Sequence, residues 1–342
     1  MALALATAKH DQQTAATLVY ANGCFALGRY EEAGVIYQGL LEKDPLVTAA
    51  SFNLGLTYLR LKKGKEAVRQ FDLLLKHQPS LAEGYYQRGN AYDELGEQQL
   101  ALADYDEAIQ LEPDYLRPHY NRGVVLARLG RHDQAVKAYD RVIELRPGLS
   151  NAHLNRAASL DEMGWHWEAV EGYTAAIEVY PENTNALFNR AKIYYAHEYM
   201  QETVDDYSQI INLTPGDAEA FNNRGLAFDA LGDYDAALSD YAEAIALRPD
   251  FAEALSNRGA TLETMGRLEE GLEQYLAAVA AEPRFASAHY NIARCYSSLA
   301  DLERSASHLE RAMQLDPELG SEATKDEELA WVLNMGQLKK GR

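Results

Sequence analysis

The chain has 342 residues, 47% of them hydrophobic, which is enough apolar material for an extensive core. Its 52 Asp and Glu against 32 Lys and Arg leave a net charge of −20, which argues against nucleic acid and anionic membrane as partners, since both attract basic patches. Only two cysteines occur, Cys24 and Cys295, far apart in sequence; no disulfide framework follows, and a reducing, cytoplasmic setting is expected.

At the N-terminus, MALALATAKH has an apolar run too short for a signal peptide and no basic residue before it, so residues 1–13 read as a short lead. No apolar stretch approaches the ~20 residues of a membrane-spanning helix. From Thr14 onward the chain is periodic. Pro45, Pro79, Pro113, Pro147, Pro181, Pro215, Pro249, Pro283 and Pro317 follow one another at steps of 34 residues, with no insertion or deletion. A period of this size marks a repeat array. With that proline at position 32, nine repeats begin at Thr14, Thr48, Ala82, Leu116, Ser150, Thr184, Ala218, Ala252 and Ala286 and cover 14–319. The tenth proline, Pro118, falls at position 3, in a first helical turn where proline is tolerated.

Each repeat reads as helix, turn, helix. Positions 4, 7, 8 and 11 form one stripe at helical spacing. Position 8 is always Gly or Ala, from Ala21 and Gly55 to Ala293. Position 20 is mostly Ala, and position 24 is aromatic in eight repeats, from Tyr37 to Tyr275, with Leu309 in the ninth. Small residues let two helices approach while a ring fills the remaining gap. Leu-Gly or Met-Gly at positions 14–15 ends the first helix in six repeats, glycine accepting the left-handed cap. Repeat 6 departs from this. It has His197-Glu198 at the turn and Thr203 in place of Ala, and is expected to be the weakest link. In the turn of repeat 5, Trp165-His166-Trp167 offers interface anchors or packs into the adjacent repeat. After the last repeat, 320–336 reads as a capping helix. Thr324 and Glu327 have capping-box spacing, Leu329, Val332 and Leu333 form an apolar stripe, and Gly336 is a stop. A basic tail, 337–342, with Lys339, Lys340 and Arg342, is expected to be disordered.

The 34-residue period, the small residue at 8, Ala at 20, the ring at 24 and Pro at 32 together resemble the tetratricopeptide repeat family over nearly the whole chain. The resemblance implies an all-α fold, a right-handed α-solenoid of nine helix-turn-helix repeats plus the C-terminal capping helix. It also implies a concave side, lined by the first helix of each pair, that usually holds an extended peptide or a partner helix. His119, His153 and His289 depart from the large residue usual at position 4. The chaperone-binding members clamp a terminal carboxylate with Lys at positions 2 and 5 and Arg at 6. Here none of these residues occurs at those positions, which argues against a chaperone-tail adaptor.

Positions 2, 5, 6, 9, 12 and 13 lie opposite the packing stripe and, by the resemblance, on the concave side. Position 6 carries a carboxamide in eight successive repeats: Asn53, Gln87, Asn121, Asn155, Asn189, Asn223, Asn257 and Asn291. A carboxamide both donates and accepts, so it can hold a peptide backbone whatever its side chains. This ladder resembles the one in the repeat domain of the O-GlcNAc transferase family; the alternative is a bond to a neighbouring helix. Position 5 adds the rings of Phe52, Tyr86, Tyr120, Phe188 and Tyr290, which either anchor a ligand or pack against adjacent helices. Positions 12 and 13 add Asp93, Glu94, Asp161, Glu162, Asp229 and Glu263, either ligand contacts or a solvated face. Rings beside carboxylates suit a protein or peptide partner with basic and apolar side chains.

Arg at position 7 (Arg88, Arg190 and Arg224 among others) faces Asp at position 23 (Asp104, Asp206, Asp240), the spacing of an ion pair between the two helices of one repeat. Position-4 histidines of successive repeats stand ~10 Å apart, too far to share a metal. No phosphate-cradling loop or HExxH motif occurs. Neither enzyme, metal nor cofactor is expected. The sequence points to a non-enzymatic interaction scaffold. The alternative is a regulatory or assembly subunit of an enzyme complex, docking through its convex face or the Trp165/Trp167 turn. Nothing in the sequence sets an oligomeric state.

Overall fold

The computed structural model describes residues 2–340, and every regular element among them is a helix. The chain divides into two compact units, Met1–Tyr180 and Pro181–Arg342.

The first unit is a stack of five helix pairs: α1 (Ala2–Ala26) with α2 (Tyr30–Lys43), α3 (Thr48–Arg60) with α4 (Gly64–His77), α5 (Ala82–Glu94) with α6 (Gln98–Leu111), α7 (Leu116–Arg128) with α8 (His132–Leu145), and α9 (Ser150–Glu162) with α10 (His166–Val179). α1 runs through residues 2–13 of the lead into the first helix of repeat 1. The second unit holds four pairs: α11 (Thr184–Ala196) with α12 (Met200–Leu213), α13 (Ala218–Ala230) with α14 (Tyr234–Leu247), α15 (Ala252–Thr264) with α16 (Leu268–Ala281), and α17 (Ala286–Ser298) with α18 (Leu302–Leu315). Two further helices, α19 (Glu318–Ala323) and α20 (Glu327–Lys340), close the chain. Within each unit, every helix packs on the one before and the one after, as the 34-residue period requires.

The small residue at position 8 is required by the ring at position 24 of the same repeat. A Cβ built on Gly55 would stand 2.6 Å from the Phe71 ring. The rings at position 24 are accordingly sealed: Tyr37, Phe71, Tyr105, Tyr139 and Tyr241 are fully buried. The expected glycine caps form, Gly96 for example taking a φ of 78°. The three repeats without glycine adopt the same turn with Lys62 (57°), Glu198 (64°) and Ala300 (59°), which strains a residue carrying a Cβ. In repeat 6 the buried Thr203 hydroxyl is satisfied, donating to the Tyr199 carbonyl (2.9 Å). The unexpected histidines also find a use. Nε2 of His119 and His153 bonds to the carbonyl of the Pro113 and Pro147 six residues earlier, at 2.9 and 2.8 Å, tying each first helix to the connector before it.

At the C-terminus, Ala323, Leu329 and Val332 bury against Ala293 and Leu309 and cover the last repeat. The expected capping box does not form. The Thr324 hydroxyl bonds to the Ser321 carbonyl at the end of α19, and the Asp326 carboxylate instead accepts the Glu328 amide, the nearer side chain to the first turn of α20. Gly336 does not stop α20, which extends through much of the expected basic tail; residues 341–342 lie outside those described.

Candidate functional site

Position 7 builds the frame behind the candidate face. Arg88 reaches Asp104 of its own repeat through Nε (2.8 Å) and Nη2 (2.7 Å), and Asp72 of the preceding repeat through Nη1 (2.6 Å). Arg190–Asp206 and Arg224–Asp240 repeat the paired contact, with nitrogen–oxygen distances of 2.6 and 2.7 Å. Burial lifts the carboxyls of Asp104 and Asp206 above their ordinary range, with the arginines pulling the other way. In repeats 4 and 5, where position 23 is Ala138 and Gly172, the arginine turns to position 25 of the preceding repeat, Arg122 to Asp106 and Arg156 to Asp140, both at 2.6 Å; in repeat 8 Arg258 donates to Gln274 at position 23 of its own repeat (3.3 Å). Sequence spacing within one repeat gave no sign of these links between repeats. Position 7 also stacks on rings at positions 4 and 11, as Arg224 does on Phe221 and Phe228 (both 5.7 Å).

The carboxamides of position 6 are half-buried and bond mainly to the preceding repeat. Asn53 Nδ2 donates to Asn22 Oδ1 (2.8 Å), which also accepts the Tyr37 hydroxyl (2.7 Å). Asn121 Nδ2 donates to Asn90 Oδ1 (2.8 Å), which also accepts the Tyr105 hydroxyl (2.9 Å). Where position 9 is apolar, the amide turns to position 5: Asn155 Nδ2 to the Tyr120 hydroxyl and Asn257 Nδ2 to Asn222 Oδ1, both 3.0 Å. Gln87 bonds within its own helix, to Glu83 (2.7 Å), and Asn223 accepts from Asn222 (3.3 Å). Asn189 and Asn291 are half-buried in the same register. Position 9 was placed on this face from the sequence, but its residues Asn22 and Asn90 were not named as partners of the ladder. Its signal was the polar residue one helical turn beyond the ladder.

The rings of position 5 form the floor of this face. Phe52, Tyr120 and Phe188 meet the position-24 ring of their own repeat edge-on, at centroid distances of 6.1, 5.9 and 5.9 Å, and Tyr86 is buried between Tyr105 and Tyr115. The Tyr290 hydroxyl donates to Asp326 (3.3 Å), and burial with that carboxylate pushes it up to about 12. Most of the acids of positions 12 and 13 are engaged. Asp93 pairs with Arg128 (2.7 Å), Glu94 with Lys62 (3.3 Å), and Glu263 with Arg294 (3.1 Å). Asp161 meets His166 (2.9 Å), and Asp229 accepts the Thr261 hydroxyl (2.6 Å). Glu162 is exposed.

Three open pockets lie on these first helices. In the first unit, one of about 770 Å³ is lined by Phe25, Leu56, Leu59, Arg60, Lys62, Glu83, Tyr86, Gln87, Asn90, Asp93, Glu94 and Arg117. A second, of about 220 Å³, includes Asn155 and Glu162. In the second unit, one of about 280 Å³ is lined by Phe188, Lys192, Tyr195, Tyr207, Asn223 and Leu226. Trp165 and Trp167, in the turn of repeat 5, are 52% and 44% exposed. No group of three or more potential metal ligands occurs among the described residues, and no helix there is long and apolar enough to cross a membrane.

Stacked helix pairs that present a lined face and carry their polar network from repeat to repeat define a helical-repeat scaffold for protein interaction. Family profiles described as TPR repeat (89–130) and Tetratricopeptide repeat (117–149 and 218–251; 21–82 and 258–319) match along the chain, which belongs to the tetratricopeptide repeat family. No curated protein matches. Among solved structures, a tetratricopeptide repeat protein from Parabacteroides merdae ATCC 43184 is similar at 20% identity and a TM-score of 0.52, over 73% of this chain and 99% of that one. MamA is similar at 26% identity and a TM-score of 0.48, over 50% of this chain and 94% of that one. YrrB, described as a TPR protein with an unusual peptide-binding site, is similar at 22% identity and a TM-score of 0.46, over 59% of this chain and 99% of that one.

Proposed function

We propose that the chain is a non-enzymatic scaffold that binds an extended segment of a partner protein along its first helices, at positions 2, 5, 6, 9, 12 and 13. One observation carries this reading: pockets in both units draw on these register positions, combining apolar walls with carboxamides. Apolar walls give affinity, and a few placed polar groups give orientation. The ladder's carbonyl oxygens, where the amide nitrogen bonds sideways to the preceding repeat, remain the natural acceptors for a ligand's backbone N–H.

The test is selection of peptides from a displayed random library against the full chain. Their binding is expected to weaken with Gln87→Ala or Lys192→Ala while the melting temperature holds, and also with Leu59→Ala; Leu59 packs on the core around Phe71 as well, so that variant lowers the melting temperature without unfolding the chain. A second reading, docking through the turn of repeat 5, is favoured by the exposure of Trp165 and Trp167. Peptides indifferent to the three groove variants but lost with Trp165→Ala/Trp167→Ala would replace the first reading with the second.

A further inference from the structure

The large pocket of the first unit is lined by three cations, Arg60, Lys62 and Arg117, and three carboxylates, a balance unlike the acidic excess of the whole chain. Of its three carboxylates, Asp93 is held by Arg128 and Glu94 by Lys62, while Glu83 accepts both the Tyr115 hydroxyl and Gln87 Nε2. Two cations of the lining, Arg60 and Arg117, have no ion-pair partner among the described residues, and both are exposed. Counting carboxylates along the sequence pointed to a basic ligand. Counting only the groups without an ion-pair partner at this pocket leaves two guanidinium groups against the single carboxylate of Glu83, which points the other way.

We propose that this pocket takes an extended partner segment with a bulky apolar side chain flanked by acidic ones. This rests on the groove reading above and adds the chemistry of the occupant. Phe25, Leu56, Leu59 and Tyr86 supply the apolar wall for the central side chain. Arg60 ends α3, and Arg117 stands in the first turn of α7, two repeats further on. The basic groups are therefore spread across the face and suit carboxylates on either side of an apolar centre better than a single terminal carboxylate. The lining runs from α1 to α7, three helix steps of ~10 Å, the span of roughly nine extended residues. The net charge of −20 does not forbid an acidic ligand, because exposed charges beyond ~8 Å are largely screened at physiological salt. A guanidinium at contact distance is not screened in this way, and it pairs bidentately with carboxylate.

Fluorescence anisotropy on the full chain tests this with three labelled nine-residue peptides. All are amidated at the C-terminus and share one apolar centre; their flanks are Glu, Gln or Lys. Amidation removes the terminal carboxylate, so the response reports the side chains. The expected affinity order is Glu, then Gln, then Lys, with the Glu peptide about tenfold tighter than the Gln peptide, the effect of two exposed ion pairs. Arg60→Glu/Arg117→Glu should invert the order, with unchanged helical circular dichroism showing that it folds. A Lys peptide that binds the wild-type chain as tightly as the Glu peptide, or an order that survives the double variant, overturns the inference. If all three bind alike and Leu59→Ala weakens all three, the groove reading stands and the acidic preference falls. Binding indifferent to Leu59→Ala removes the groove reading itself.

Discussion

Lys62, Glu198 and Ala300 occupy the turn position that six other repeats give to glycine, and each holds a positive φ. An L-residue in that region costs ~1–3 kcal/mol, while glycine gives back ~0.5–1 kcal/mol through the freedom it adds to the unfolded chain. Glu198→Gly is therefore expected to stabilise the protein by about 1 kcal/mol in urea denaturation; a loss of stability would mean that the Glu198 side chain makes an unrecognised contribution. Asn121 shows the opposite case. Its amide joins α7 to Asn90 and Tyr86 of the preceding repeat, so Asn121→Ala should cost about 1 kcal/mol even though Ala is the better helix former. An unchanged melting temperature for that variant would show that the bond contributes nothing net. Cys295 is sealed at the other end of the chain, where burial pushes its thiol up to about 12. A thiol so rarely ionised is inert toward alkylation at neutral pH.

At the level of the helix pair, the buried ion pairs set the largest single effects. The Asp206 carboxylate is 5% exposed and faces Arg190. Arg190→Ala should cost about 3 kcal/mol by leaving a buried carboxylate alone, whereas Arg190→Met/Asp206→Leu should be close to neutral. Equal losses from the two variants in denaturant titrations would contradict the ion-pair account. In repeat 9 two histidines meet across the pair: Nδ1 of His289 and Nδ1 of His308 are 3.0 Å apart, and His289 Nε2 faces the Pro283 carbonyl (3.3 Å). A carbonyl only accepts, so neutral His289 carries its proton on Nε2 and takes the His308 Nδ1–H. Burial lowers both imidazoles, and Arg311 adds to the effect at His289. The unfolded chain then binds more protons below about pH 6.5, so stability present at neutral pH drains away as pH falls through that value. The melting temperature should drop between about pH 7.5 and pH 5, and less so in His308→Asn; an equal drop in both would place the acid sensitivity elsewhere.

In a repeat array, stability is the sum of local terms and neighbour terms, so weak repeats open first. The sequence singled out repeat 6. The turn geometry adds repeats 2 and 9, since Lys62 and Ala300 are strained in the same way, while the buried Thr203 that counted against repeat 6 has its hydroxyl satisfied. Hydrogen exchange should therefore be faster over 48–81, 184–217 and 286–319 than over the glycine-capped repeat at 116–149. Protection of 184–217 equal to that of 116–149 would show that turn strain does not govern opening. Each unit, Met1–Tyr180 and Pro181–Arg342, can be probed in this way within the intact chain.

The period, the helix pairs, the small residue beneath the ring and the glycine turn were legible in the sequence because each is settled inside one repeat. Gly55 and Phe71 are 16 residues apart, and the same spacing of small residue and ring is written in eight repeats, with Leu309 in place of the ring in the ninth. The register of the candidate face was legible for the same reason, since helical spacing places positions 5, 6, 9, 12 and 13 together. What its polar groups bond to was decided only when one repeat packed on the next. Asn53 and Asn121 reach back 31 residues and Asn155 and Asn257 reach back 35, the choice depending on whether position 9 or position 5 of the preceding repeat offers oxygen. Arg128 takes Asp93 and Lys62 takes Glu94 across similar separations, which leaves Arg60 and Arg117 uncompensated at the pocket. A composition counts charges, but only stacking pairs them, because pairing depends on distances of a few ångströms between residues a full repeat apart.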